Sequence, residues 1–423
     1  LFTISYHNAV VKILNSTMTK LRAIIRLALL LPLYQHHAVH AFSGMDVKKY
    51  QPCGMNRHTA LNAEAGVQET SALATSVDKL KKVLRREYIS FFDPMQCEYY
   101  SDNVSFEDPM TALEGVQSYK NNVDMLASRT LMGKFLFSDA GIVLHSVEGG
   151  EINPSDGSIS NIVTRWTLRV TAKVLPWKPT ARFTGISVYD VLAGGSEGVV
   201  VDHQTDYWDS INIGNGGKYE KVDKSIAIND FLDQLKPDNG NAAAAGVELP
   251  YQLLRRGKDY EIRRYPAYTA CKIPYDRRDE GYDVLASITR GIEPLAPSMM
   301  VVPDDDSQKT MSWPLGYAPP GESAPGSIPQ SILDRSKEAI WSDCEIETVG
   351  SKVVAVGSFS DATVAPIVRK ADKKLRESLK RDGIVPPSGS DSYVQFAQYD
   401  AIFSLGKRRG EVWIEIDDDG HPY

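Results

Sequence analysis

Cysteine is scarce and unpatterned: four in 423 residues (Cys53, Cys97, Cys271 and Cys344), with no CxxC pair. That excludes a disulfide-built scaffold and a thiolate zinc site. An excess of positive charge is missing too. Lys and Arg total 47 against 54 Asp and Glu, for a formal net charge of -7. A strongly basic nucleic-acid binder is therefore excluded, because such binding neutralises phosphates with Lys and Arg. Histidine is absent from 248 to 420, the eight lying at 7, 36, 37, 40, 58, 145, 203 and 421. What remains is ordinary globular composition, 42 % hydrophobic and 24 % charged. A chain this long makes two to three folded units at roughly 150 residues each.

Reading from Met18, Lys20, Arg22 and Arg26 form a basic region, followed by a short apolar run from Leu27 to Leu33. Val39 and Ala41 then occupy the small-residue positions of a cleavage site. The run is too short for a permanent span, which needs about 20 apolar residues. Phe42 follows the expected cut, and 43–72 is small and polar. This resembles the two-part leaders of diatoms and related algae, in which a signal peptide precedes a plastid transit segment. The expectation is a leader over 1–72, with the signal peptide near 18–41, and delivery to a plastid (chloroplast) by way of an ER-type signal peptide. Secretion is the alternative.

Val77, Leu80, Leu84, Tyr88 and Phe91 recur at helical spacing, which predicts an amphipathic helix over 76–92. A second helix is expected near 112–128, opened by Asp108-Pro109. Strands follow at 132–148, 159–174, 181–192 and 199–212, with alternation clearest from Ile162 through Thr164, Trp166 and Leu168 to Val170. Helices first and long antiparallel strands afterwards is an α+β pattern, and one curved sheet wrapped on helices closes a cone-shaped cavity. Tyr99 to Pro109, then Gly115 and Tyr119, and the late strand Asp202 to Asp209 resemble the NTF2-like superfamily, here over about 77–213. They look closest to an uncharacterised plastid branch found ahead of another domain.

The segment 236–247 is rich in Pro, Asn, Gly and Ala and has no apolar period, so it reads as a linker between units at 73–235 and 248–423. The second unit carries a weak repeat. A strand begins at Glu261 and a helix near 279; a strand begins at Glu345 and a helix near 363, an offset of 84 for each pair (345 minus 261; 363 minus 279). Two such halves favour a pseudo-twofold domain with both helices against one curved sheet. Tyr260-Glu261-Ile262-Arg263-Arg264-Tyr265, Lys309 to Leu315, Val353 to Ser360, Tyr399 to Phe403 and Arg408 to Ile414 resemble the SOUL haem-binding family. The resemblance implies a distorted β-barrel with two flanking helices and an apolar cleft for haem or another tetrapyrrole.

A flat macrocycle needs an apolar slot with cations at its rim. Helix 279–292 offers Leu285, Ile288 and Ile292 as wall with Arg290 at the rim. Helix 363–382 offers Ile367 and Leu375, with Lys373, Lys374 or Arg376 as cations. Each of these residues is equally at home in a core or on a solvated face. With no histidine before His421, a His-ligated haem is not expected in this unit. Cys271, Cys344, Met299, Met300 and Met311 are the other donors, and each suits a core as well.

In the first unit, His203 and Asp206 alternate to opposite faces of their strand, so a direct dyad needs a bulge. Asp93, Asp102 or Asp108 meeting His203 across the cavity stays open, and His203, Asp108 and Trp208 are the candidate cavity residues. No catalytic or metal-binding residue is assigned. The expected function is non-catalytic carriage or buffering of a tetrapyrrole, without nucleic acid. The basic run from Arg369 to Arg381 suits peripheral contact with a thylakoid or plastoglobule lipid surface, or a solvated helix face. The alternatives are an NTF2-like enzyme acting on a small apolar substrate with the SOUL unit accessory, and a protein-interaction scaffold.

Overall fold

A computed structural model describes residues 63–237, 247–305, 307–359, 364–399 and 409–418. The leader read at 18–41, most of the linker and His421 lie outside the described residues. The chain is α+β, as its patterning implies, and builds two sheets in sequence order.

The first sheet has six strands: β1 (Tyr100–Glu107), β2 (Ala112–Glu114), β3 (Phe137–Gly149), β4 (Ile162–Ala172), β5 (Thr180–Ala193) and β6 (Val199–Trp208). Their order is β2-β1-β6-β5-β4-β3, antiparallel except for the β1–β6 pair. One face packs on α1 (Ala63–Ile89) and α2 (Val116–Leu126), the other helices here being α3 (Leu131–Leu136), the single turn α4 (Asp209–Asn212) and α5 (Lys224–Gln234). The helical spacing of Val77, Leu80, Leu84 and Tyr88 does what it implies, burying all four in the core of this half. Helix α1 opens at Ala63, well before residue 76 and inside the segment read as leader. The apolar period that locates its packed face begins only at Val77, so its first turns carry no such signal. The start of the strand expected at 132–148 is instead α3, capped where Thr130 accepts from the Gly133 amide at 3.0 Å.

The second sheet has nine strands: β7 (Gln252–Arg256), β8 (Glu261–Tyr265), β9 (Tyr268–Pro274), β10 (Ser298–Pro303), β11 (Thr310–Tyr317), β12 (Glu345–Val349), β13 (Lys352–Phe359), β14 (Tyr393–Gln398) and β15 (Gly410–Ile416). Its helices are α6 (Arg278–Ile288), α7 (Gln330–Arg335) and α8 (Ala365–Arg381). The strand order β12-β9-β11-β10-β14-β15-β13-β8-β7 reveals the repeat. β8-β9-α6-β10-β11 is echoed by β12-β13-α8-β14-β15, and the two sets mirror each other about the β10–β14 pair, with β7 as an added edge. β8 and β12 open 84 residues apart (345 minus 261), as do β9 and β13 (352 minus 268).

A barrel was expected from the resemblance, but the edge strands β12 and β7 do not pair, so the sheet is open. The β7 edge is instead covered by side chains of the first half. Arg165 donates to the Leu254 carbonyl at 3.4 Å, Thr167 to that of Leu253 at 2.9 Å, and the Arg256 amide donates to Thr184 at 2.7 Å. Edge groups satisfied this way have no need of a closing strand.

Candidate ligand cavity

The concave face of the first sheet and the helices over it enclose a cavity of about 200 Å³. Alternation along β6 turns Gln204, Asp206 and Trp208 into it, while β4 adds Trp166, Leu168 and Val170. Helix α1 and the turn after it bring Tyr88, Phe91 and Phe92; α2 brings Tyr119, Asn122 and Val123; Phe231 of α5 closes one side. The wall is mostly apolar, with ten aromatic rings among its 26 residues, and it includes no Lys, Arg or His.

Its polar groups are ordered by hydrogen bonds among themselves. The Tyr119 hydroxyl donates to Gln204 Oε1 at 2.6 Å, and Gln204 Nε2 donates to Asp206 Oδ1 at 2.8 Å. This chain fixes the amide's orientation and delivers a donor to the carboxyl. Ser187 gives Asp206 a second hydrogen bond and accepts from Trp166 Nε1 at 2.9 Å. The Tyr88 hydroxyl, beside it, bonds Thr164 at 2.8 Å and Tyr189 at 3.0 Å. Across the cavity, Asp108 Oδ1 accepts from the amides of Met110 at 2.7 Å and Thr111 at 2.5 Å, an Asx turn set by the Asp-Pro step after β1.

Burial pushes Asp206 up to about 7, its two hydrogen bonds opposing and the nearby Asp108 charge adding. Burial likewise raises Asp108 to about 6 against the pull of its two backbone donors. Behind the wall, Glu87 rises to about 6, chiefly by burial, while accepting from the Gln96 amide and the Tyr100 hydroxyl. Neither Asp108 nor Asp206 makes an ion pair among the described residues.

Of the expected cavity residues, Asp108 and Trp208 line it and His203 does not. His203 lies on the other face of β6, its Nδ1 2.5 Å from the Ser105 hydroxyl and its Nε2 2.8 Å from that of Thr205. A dyad across the cavity is thereby ruled out. Alternation gives Asp206 the same face as Gln204 and Trp208 but does not say which face meets the cavity. The residues that sequence reasoning missed are Asp206 itself, Tyr88, Tyr119 and Asn122, brought together only by the helix-on-sheet packing.

In the second half, Leu285, Ile288 and Leu375 are buried in the core between helices and sheet, and Ile292 packs on its edge. They fill space rather than wall an open cleft. Ile367 is half-buried and Arg290 is exposed. Lys374 pairs with Asp259 at 3.1 Å, Arg376 with Asp372 at 2.9 Å, and Lys373 reaches Glu377 at 4.0 Å. As to axial donors, Met299, Met300 and Met311 are core residues, and Cys271 is buried with its Sγ 3.4 Å from that of Cys344. No group of three metal-ligating side chains occurs among the described residues. Of these five donors four are buried, and Cys344 is half-buried beside Cys271.

Two family models match the chain. Residues 78–203 match an uncharacterised conserved protein family, DUF2358, and residues 247–415 match the SOUL heme-binding proteins. The first half of the chain thus matches one family model and the second half the other. No curated protein matches it. Among solved structures, it is similar to the C-terminal domain of EcmrR at 9 % identity, covering 40 % of this chain and 98 % of that one, with a TM-score of 0.27. It is similar to a putative scytalone dehydratase from Novosphingobium aromaticivorans at 6 % identity, covering 34 % and 87 %, TM-score 0.24. An NTF2-like superfamily protein from Salmonella enterica shares 15 % identity over 32 % and 92 %, also at 0.24.

Proposed function

We propose that this protein binds and carries small apolar molecules, a tetrapyrrole through its SOUL unit and a smaller ligand in the DUF2358 cavity. The match of residues 247–415 to the SOUL heme-binding family supports the first part. The donor set argues that the macrocycle is held by apolar contact rather than through its iron, which suits carriage or buffering more than redox work. A plastid is the proposed location, supported by the basic, apolar and small-residue pattern between Lys20 and Phe42. Haemin and protoporphyrin IX should saturate the full chain at near-equal affinity in absorbance and fluorescence-quenching titrations. A haemin affinity far above that of the metal-free ring contradicts binding without an axial ligand, and saturation by neither removes the carrier reading.

The second part rests on the cavity itself. At about 200 Å³ it is larger than the roughly 150 Å³ engineered cavity that takes benzene, and far too small for a macrocycle. It suits one ring with a short substituent. Its occupant is therefore a different molecule from the tetrapyrrole.

A further inference from the structure

We propose that the DUF2358 cavity selects a small hydrophobic amine, whose ammonium group sits against Asp206 while its apolar body fills the aromatic chamber. This inference rests on the reading of the cavity as a ligand site and adds the chemical class of the ligand.

Three observations converge on a cation. First, the wall holds two carboxyl groups, Asp206 and Asp108, and no basic side chain to neutralise either. An unpaired carboxylate in an apolar enclosure is costly and is relieved by keeping its proton, so above the pH at which the proton leaves it favours a positively charged partner. Second, Tyr88, Phe92, Phe106, Tyr119, Trp166 and Trp208 are among the rings that face the same space. Their π faces attract an ammonium group and gain strength when water is excluded. Third, the donors bonded around Asp206 are already committed. Tyr119 donates to Gln204, and Gln204 and Ser187 donate to Asp206. Asp206 lines the cavity and, with two donors on a carboxyl that can take about four, retains acceptor capacity for an N–H.

The charged and titratable groups around Asp206 come from several elements. Asp108 from the β1 turn raises it, and the hydroxyls of Tyr88 on α1, Tyr119 on α2 and Tyr189 on β5 lie in the same cluster. Lys224, at the start of α5, acts on Asp108 and not directly on Asp206. An acid in this setting is an effective partner for ammonium once it has lost its proton, so the affinity for amine rises with pH through the neutral range.

Three single-ring probes separate the possibilities by calorimetric titration of the full chain: benzylamine, its isostere benzyl alcohol, and toluene. The expected result is benzylamine binding at least about tenfold more tightly than benzyl alcohol at about pH 8, a gap of about 1.4 kcal/mol. That preference should shrink markedly at about pH 5.5. Asp206→Asn should remove the preference while leaving toluene binding in place, and Asp108→Asn should reduce it less. Retained toluene binding reports that each variant is folded. If the alcohol or toluene binds as well as the amine, the cavity is a ligand site but the amine assignment fails. If none of the three binds, the cavity reading fails with it.

Discussion

Asp206, Asp108 and Glu87 are carboxyl groups whose burial works against their charge, and this has a measurable consequence for stability. Each is raised in the folded protein, Asp206 to about 7 and the other two to about 6. The folded state therefore holds protons that the unfolded chain has released from about pH 4 upward. Their contribution is fully present below that point and is lost as pH rises through 6 and 7. His145, whose burial lowers it to about 4, works in the opposite sense over part of the same window. Comparing Asp206→Asn with the parent chain isolates one group. The variant should be more stable by roughly 2–4 kcal/mol at neutral pH and nearly equal to the parent near pH 4, by urea unfolding at each pH.

Glu411 is the contrasting case, a fully buried carboxylate with every need met. Arg263 reaches both its oxygens at 3.1 Å, Tyr399 donates at 2.7 Å and Trp413 at 3.0 Å, with Arg409 at 3.4 Å. Glu411→Ala removes one of the two carboxylates paired with the buried Arg263, leaving Glu261 at 2.7 Å, and orphans the Tyr399 and Trp413 donors. The expected loss is about 3–5 kcal/mol, read as a lower urea midpoint. Family-like motifs containing Arg263 and Glu411 thus mark a buried ion cluster in this fold.

At the scale of elements, the repeat in the second half explains why α6 and α8 lie on one face of the sheet. Each half delivers two strands, a helix and two strands, and the halves meet at β10 and β14. The 84-residue offset announced this arrangement because the first two strands of each copy, β8 and β9 and then β12 and β13, keep the same spacing. Closure was not announced, since it depends on whether two edges far apart in sequence meet. The free edge β12 has its own tether. Cys344, just before β12, has its Sγ 3.4 Å from that of Cys271 on β9, the neighbouring strand. A mild oxidant should form this intrachain disulfide and raise stability by about 2–4 kcal/mol. Peptide mass mapping and the thermal midpoint would report it, and Cys344→Ser should abolish both changes.

For the whole molecule, the two halves are joined by a buried polar junction. Arg165 pairs with Asp209 at 2.5 Å, both almost fully buried, and Tyr219 donates to Asp209 at 2.6 Å. Asp209 also accepts from Thr184, and Arg165 extends to the Leu254 carbonyl of the second sheet. Around this centre, Arg182 pairs with Glu261 at 2.8 Å and Arg256 with Asp230 at 3.0 Å. Removing Asp209 leaves Arg165 charged and buried at the joint. Asp209→Ala should cost about 3–5 kcal/mol and should separate the tryptophan-fluorescence and far-UV dichroism transitions, which are expected to coincide in the parent chain.

Sequence by itself determined the α+β class, the two main helices and four long strands of the first half, the repeat in the second half and the face that Asp206 shares with Trp208. Each follows from local periodicity, since the side chains of a strand alternate and those of a helix recur near every fourth position. Tertiary structure decided the rest. It closed a chamber around residues as distant as Tyr88, Asp206 and Phe231, turned His203 away from it, and filled with core the helix faces that had been read as a cleft. An apolar helix stripe looks the same whether it meets a ligand or another side chain, because both satisfy the same need to leave water. Only the packing of distant segments tells them apart.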